Sequence, residues 1–259
     1  MGHKLHDITL YYPMGSDPAA TKRFALKKNV VSELYVHCLN GYKPPKTTRI
    51  SVDLTNYDHV YDLVGSSILR VDIAFDMEHF WKQSDETQQK LILETIHRAA
   101  ILSAETYDWD KKPFENAYRE VLRRNFVYVT EGKTKTSGDR QYKAAIQISK
   151  NEKWSELSVV FYNKQGDQIK SVELFKSLQS ELFYGEIIKN TKWFTSREFG
   201  VHAYNEELII KASMDLEDSV VVCSPGKYDR EFLEGYLKSI SYMENEEQWK
   251  QNFVKWSNR

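Results

Sequence analysis

Three aspartates, Asp53, Asp72 and Asp76, carry the first arrangement in this sequence that suggests chemistry. Asp53 lies in Arg49–Thr55, where Ile50, Val52 and Leu54 alternate with polar residues, and Asp72 lies in Leu69–Phe75, where Val71, Ile73 and Phe75 do the same. If these segments are neighbouring strands, Asp53 and Asp72 project from one face and Asp76 stands at a strand end. Clustered carboxylates can hold a hard cation such as Mg²⁺ or divide acid and base roles, so the group suggests metal-assisted hydrolysis. Asp58, Asp62 and Glu78 lie nearby in sequence. The opposing reading is structural: alternating aspartates on the solvent face of a strand keep a sheet soluble and discourage edge pairing. No spacing here matches a defined metal loop, and the structural reading carries more weight.

Other reactive groups are weaker. Glu94 and His97 sit three apart on an expected helix, half of a di-iron pattern whose other copy is missing; a local hydrogen bond accounts for the pair. Cys223, with His202 as base and Glu217 or Asp218 as orienter, has the residue types for a nucleophile, but Val220-Val221-Val222-Cys223 followed by Ser224-Pro225-Gly226 reads as a strand ending at a turn. His37 and Cys38, adjacent on an expected strand, face opposite ways. The sequence contains no Cys-x-x-Cys, no His-x-x-x-His, no P-loop and no Gly-x-Gly-x-x-Gly. No cofactor or metal is expected. Gly132-Lys133-Thr134-Lys135-Thr136 reads as a basic, solvated loop.

The best lead is aromatic. Trp154, Tyr162, Tyr184, Trp193 and Tyr204 lie on a run of short alternating segments between Arg140 and Cys223, and the pairs Phe161-Tyr162, Phe183-Tyr184 and Trp193-Phe194 place one ring on each side of a regular strand. Rings facing away from the core would form a surface for a protein partner or for self-association; the alternative is that helices cover that face.

The elements that must position these groups follow from periodicity. Lys4–Tyr12, Leu34–Leu39, Arg49–Thr55, Leu69–Phe75 and Phe126–Thr130 read as strands, with Pro13–Ala20 a loop and Asn40-Gly41 a stop. A helical pair is expected at about 84–107 and 113–124, the first opened by a capping box of Asp85 and Gln88. After Arg140 comes an antiparallel meander with a reversal at Asn163–Asp167, then helices over Tyr228–Ser241 and from Asn245, the latter with Trp249, Phe253 and Trp256 on one stripe. The class is α+β with antiparallel sheets in both halves, divided as 1–131 and 132–259 or fused into one compact domain.

Composition narrows the function. Lys and Arg number 36 against 37 Asp and Glu, a net charge of −1, which lacks the basic excess of a nucleic-acid binder. No apolar run is long enough to span a bilayer, the first residues lack a signal pattern, and two widely spaced cysteines fit free thiols in a reducing cytoplasm. The expectation is a non-enzymatic intracellular protein-binding module, an inhibitor or a toxin-neutralising immunity-type protein, that uses an aromatic-bearing sheet face. The alternative is a metal-assisted hydrolase using Asp53, Asp72 and Asp76.

Overall fold

A β–α–β unit opens the chain. In a computed structural model that describes residues 3–13, 17–63, 67–177 and 185–242, strand β1 (Asp7–Tyr11) is followed by helix α1 (Pro18–Cys38) and strand β2 (Arg49–Thr55). Asp17 starts α1 by accepting from the Ala19 and Ala20 amides, with Pro18 in the first turn where its missing N–H is not needed. After β3 (His59–Val60) and β4 (Ile68–Ala74) come α2 (Met77–Trp81), α3 (Asp85–Thr106) and α4 (Lys112–Arg123). The strands form one sheet in the order β1-β2-β4-β3, parallel between β1, β2 and β4 and antiparallel between β3 and β4.

One face of this sheet is apolar. Ile8, Leu10, Ile50, Val52, Leu54, Leu69, Val71 and Ile73 are buried in a single cluster with Phe24, Leu34 and Tyr35 of α1 and Ile92, Ile96 and Ala100 of α3. Each buried Val, Leu, Ile or Phe among them contributes roughly 1.5–3 kcal/mol by leaving water. Strand alternation puts Asp7, Thr9, Arg49, Ser51, Asp53, Arg70 and Asp72 on the opposite face.

The chain is α+β, with antiparallel sheets and a helix closing the described residues. The expectation of antiparallel pairing in the first half needs correction, because three of its strands run parallel. Alternation reports which side chains are buried and is silent on strand direction; α1 supplies the long crossover that parallel pairing requires. The strand expected at Leu34–Leu39 is the last part of α1, and the loop expected at Pro13–Ala20 already contains its first turn. Asn40 and Gly41, both with positive φ, terminate that helix instead of a strand. The capping box also differs. Ser84 is the cap of α3, Asp85 pairs with Lys27, and the Gln88 amide donates to the carbonyls of Phe80 in α2 and Gln83 just past it.

The chain divides into two compact units, Met1–Tyr128 and Val129–Arg259. In the second, β5 (Tyr128–Glu131), β6 (Lys135–Thr136), β7 (Tyr142–Lys150), β8 (Ser155–Asn163) and β9 (Gln168–Ser177) form one sheet. After α5 (Gly185–Lys189), strands β10 (Thr191–Trp193), β11 (Glu198–Ala203), β12 (Leu208–Ser213) and β13 (Val220–Cys223) form a second, antiparallel throughout, and α6 (Arg230–Ile240) follows. The reversal at Asn163–Asp167 forms as expected: the Asn163 side chain accepts from the Gly166 and Asp167 amides, and Gly166 takes the positive φ of 102° that the turn needs. Inward residues of both sheets, among them Leu157, Val159, Phe161, Phe199, Val201 and Ile210, share one core with Leu233 and Leu237 of α6.

At the outer edge of β9, Ser177 forms an antiparallel bridge with Ser241, and the Tyr242 amide donates to the Lys176 carbonyl at 2.7 Å. The helix expected from Asn245, with Trp249, Phe253 and Trp256, lies outside the described residues, as do Phe183 and Tyr184. Among the described residues no helix is long and apolar enough to cross a membrane.

Candidate functional surfaces

The carboxylates assort into two places. Parallel pairing of β2 and β4 sets Asp53 directly beside Asp72 on the polar face. Arg70 then occupies the position a cation would need: its Nε donates to Asp53 Oδ2 at 2.8 Å and lies 3.8 Å from Asp72 Oδ1. Tyr61 donates its hydroxyl to Asp72 Oδ2 at 2.7 Å, an acceptor that holds the phenol's pKa above its ordinary value. Arg70 also lies 4.8 Å over the Tyr61 ring. Asp72 is only 1% exposed.

Asp76 does not join this network. It caps α2, accepting from the His79 amide at 2.9 Å, and lines a cleft that includes neither Asp53 nor Asp72. The shared pocket expected for the three aspartates is therefore not formed, because β4 ends at Ala74 and the chain turns into α2 before Asp76 can face back along the strand. Among the described residues, no group of three His, Cys, Asp or Glu side chains is placed to hold a metal ion.

The other reactive groups resolve similarly. His97 meets the Tyr35 hydroxyl at 2.9 Å and stacks on Tyr118, so its partner is an aromatic neighbour and not Glu94. Cys223 pairs across the sheet with Leu208, which pairs with Ala203, while His202 is one residue out of step and faces the other side. Burial pushes the thiols of Cys223 and Cys38 above their ordinary pKa, the opposite of what a nucleophile needs.

The aromatic candidates have separate fates. Alternation holds at Phe161-Tyr162: Phe161 is fully buried and Tyr162 faces outward, its hydroxyl on the Glu131 carboxylate. Partial burial together with that carboxylate pushes the Tyr162 phenol up to about 12. A shallow cleft of about 450 Å³ surrounds it, lined also by Thr134, Thr136 and Lys143, so the polar segment after Gly132 is brought to Tyr162. Trp193 turns inward: its ring lies 5.9 Å from Phe161 and 5.3 Å from Phe199, and its indole donates to the Lys135 carbonyl. Trp154 is half-buried against Tyr242, with Lys176 over its ring.

Tyr204 anchors an aromatic group packed on the rim of the second core. Its ring centroid lies 4.8 Å from Tyr228, 5.2 Å from Phe232 and 4.9 Å from Tyr236. Tyr228 and Phe232 stack at 5.0 Å with planes 20° apart, and Phe232 remains 45% exposed. The backbone beneath is strained: Tyr204, Asn205 and Glu206 have φ of 52°, 55° and 70°, the left-handed region that costs a residue with a Cβ about 1–2 kcal/mol.

Glu207, the next residue, holds the facing loop. Its carboxylate accepts from the amides of Gly226, Lys227 and Tyr228, each at 2.9 Å, and these bonds hold its pKa below the ordinary glutamate range. A depressed carboxylate stabilises the fold above its unfolded value and loses that contribution as pH falls through the folded one. The amide resonances of Gly226, Lys227 and Tyr228 should therefore titrate together with a midpoint below pH 4.5. A midpoint at or above that value would contradict the arrangement.

Compared with known proteins, the chain matches no family model, no curated protein and no solved structure. Sequence reading reached Tyr204 but missed its neighbours, since Tyr228, Phe232 and Tyr236 look like the apolar stripe of an ordinary helix. The sole hint was their spacing of four, which stacks rings on one face.

Proposed function

We propose that this chain is a non-enzymatic protein-binding module, of the inhibitor or toxin-neutralising kind, and that a protein partner docks on the platform of Tyr204, Tyr228, Phe232 and Tyr236. The observation that carries this reading is a clustered aromatic surface held on strained backbone. Three successive residues remain left-handed where a relaxed turn would cost less, and strain of this kind concentrates at functional sites. Clustered Tyr and Phe rings surrounded by charges are the composition of a binding hot spot, and Lys192–Glu206 and Arg230–Glu234 supply such charges beside the platform.

The chemistry favours a protein partner over nucleic acid, whose phosphates call for a basic excess that a net charge of −1 does not offer. Two free cysteines fit a reducing compartment such as the cytoplasm. The hydrolase reading loses ground because Arg70 and Tyr61 occupy Asp53 and Asp72 and Asp76 lies elsewhere.

The test is co-purification of the native chain and its Phe232→Ser variant from the source cells, with light scattering to detect a second copy. The wild type should retain one stoichiometric protein, and the variant should bind it about 30-fold more weakly, the loss of a hot-spot side chain. Its melting midpoint should fall only slightly, because Phe232 is already 45% exposed, so the lost binding is not explained by unfolding. Equal retention by both chains, or a wild type that is monomeric and unaccompanied, would overturn the proposal.

A further inference from the structure

We propose that Asn40 and Gly41 form a site of spontaneous covalent modification, at which Asn40 is converted to isoaspartate and the end of α1 is uncapped. This is the one place in the chain where glycine follows asparagine. The reaction needs a backbone nitrogen that can reach the side-chain carbonyl carbon of the residue before it. A glycine carries no side chain to stand in the way.

The local geometry leaves both reacting groups unengaged. Asn40 is exposed, and neither its side chain nor the Gly41 amide makes a hydrogen bond among the described residues. Both residues are left-handed, with φ of 49° and 74°, and the Tyr42 amide closes the turn on the Leu39 carbonyl at 3.1 Å. Lys4 lies against this turn: its Cε and Nζ are 3.3 and 3.6 Å from the point where a Gly41 Cβ would stand. An ammonium so placed favours loss of the Gly41 amide proton, which makes the nitrogen a nucleophile.

The step balances with water alone. The deprotonated Gly41 nitrogen bonds to Asn40 Cγ, the side-chain nitrogen takes up a proton and leaves as ammonia, and a five-membered imide remains. Water then opens the ring. Breaking the new bond to Cγ gives aspartate; breaking the original bond to the Asn40 carbonyl carbon gives isoaspartate, whose backbone is one methylene longer. Either product puts a carboxylate at the carboxyl end of α1, where the helix dipole disfavours it. The longer backbone also displaces Tyr42, whose carbonyl accepts from the Leu5 amide at 2.9 Å and holds the chain entering β1.

The experiment incubates the full chain in mild acid and in mild alkali and follows the peptide containing Asn40 by mass spectrometry, separating its isoaspartyl and aspartyl forms. Conversion should rise about tenfold per pH unit, as the deprotonated amide does. It should outrun conversion at Asn56, which is exposed but precedes Tyr57, by about tenfold or more. Lys4→Gln should slow it about threefold, the effect of one exposed charge. In the converted chain the Leu5 and Tyr42 amides should exchange about tenfold faster, whereas Asn40→Gly, which keeps the left-handed turn, should retain their protection through the same incubation. Survival of Asn40, conversion no faster than at Asn56, a rate indifferent to Lys4→Gln, or unchanged protection in the converted chain would each overturn the proposal.

Discussion

Gly200→Ala should destabilise the β10–β13 sheet by about 3 kcal/mol, the upper part of the range for forcing atoms into packed space. A Cβ at this position would stand 2.2 Å from the Ile210 carbonyl oxygen and 2.6 Å from Lys211 Cα. Both are backbone atoms of the partner strand, so no side-chain rotation relieves the clash and β11 must move off β12. Movement would separate the Phe199–Ala212 and Val201–Ile210 pairs that form part of the core. Urea denaturation should show the lower midpoint, and hydrogen exchange should place the lost protection in β11 and β12. Gly235→Ala is the contrasting control. Nothing lies within 4 Å of its Cβ position in α6, so the same substitution there should stabilise the chain by about 0.5–1 kcal/mol, as expected for a glycine inside a helix. Two changes of the same sign would refute the clash at Gly200.

In the first unit the largest expected effect comes from Phe24→Ala, a loss of about 3–5 kcal/mol. Phe24 is 1% exposed, and its ring lies 5.4 Å from Tyr12, 6.3 Å from Phe75 and 5.4 Å from Phe80. Removing the ring takes away transferred apolar area and leaves a cavity among neighbours held on α2 and just past the ends of β4 and β1, which cannot all move inward. Against a usual stability of about 5–15 kcal/mol, that loss brings the unit near unfolding at ambient temperature. A drop below about 1 kcal/mol by equilibrium urea denaturation would show that the aromatic nest collapses to refill the space.

The parts of this structure that were legible in the sequence are those set by local periodicity. β2 and β4 follow the alternation around Val52 and Ile73, and α3 and α4 follow their apolar stripes. Asn163–Asp167 carries its own turn chemistry. The failures come from rules that local pattern does not contain. Leu34-Tyr35-Val36 has the composition of a strand, but Asp17-Pro18 had already started a helix whose buried positions run from Phe24 through Val31 to Tyr35. Direction of pairing in the first sheet depended on the length of that helix.

The candidate surfaces divide the same way. Alternation puts Asp53 and Asp72 on one face if their strands are neighbours, which they are, but it does not show that Arg70, two residues before Asp72 on the same face, lies between them. Trp193 reads as a surface ring in an alternating segment and is drawn inward by Phe161 and Phe199 on other strands. Asp76 and Glu94 stand far apart in sequence. Only the packing of α2 and α3 on β4 shows that they share a cleft.

The bridge from Ser177 to Ser241 imposes an order on the life of the molecule. β9 is the outermost strand of its sheet, and the chain that covers its edge at Lys176 and Ser177 is translated more than a helix later. While the ribosome is still making α6, the meander can be paired and largely folded, yet its last strand offers free amides and carbonyls to any neighbouring nascent chain. Ser241 and Tyr242, once they have emerged, cover the Lys176–Ser177 end of that edge. A messenger truncated just before those codons would yield a product with the sheet intact and its seam unsewn.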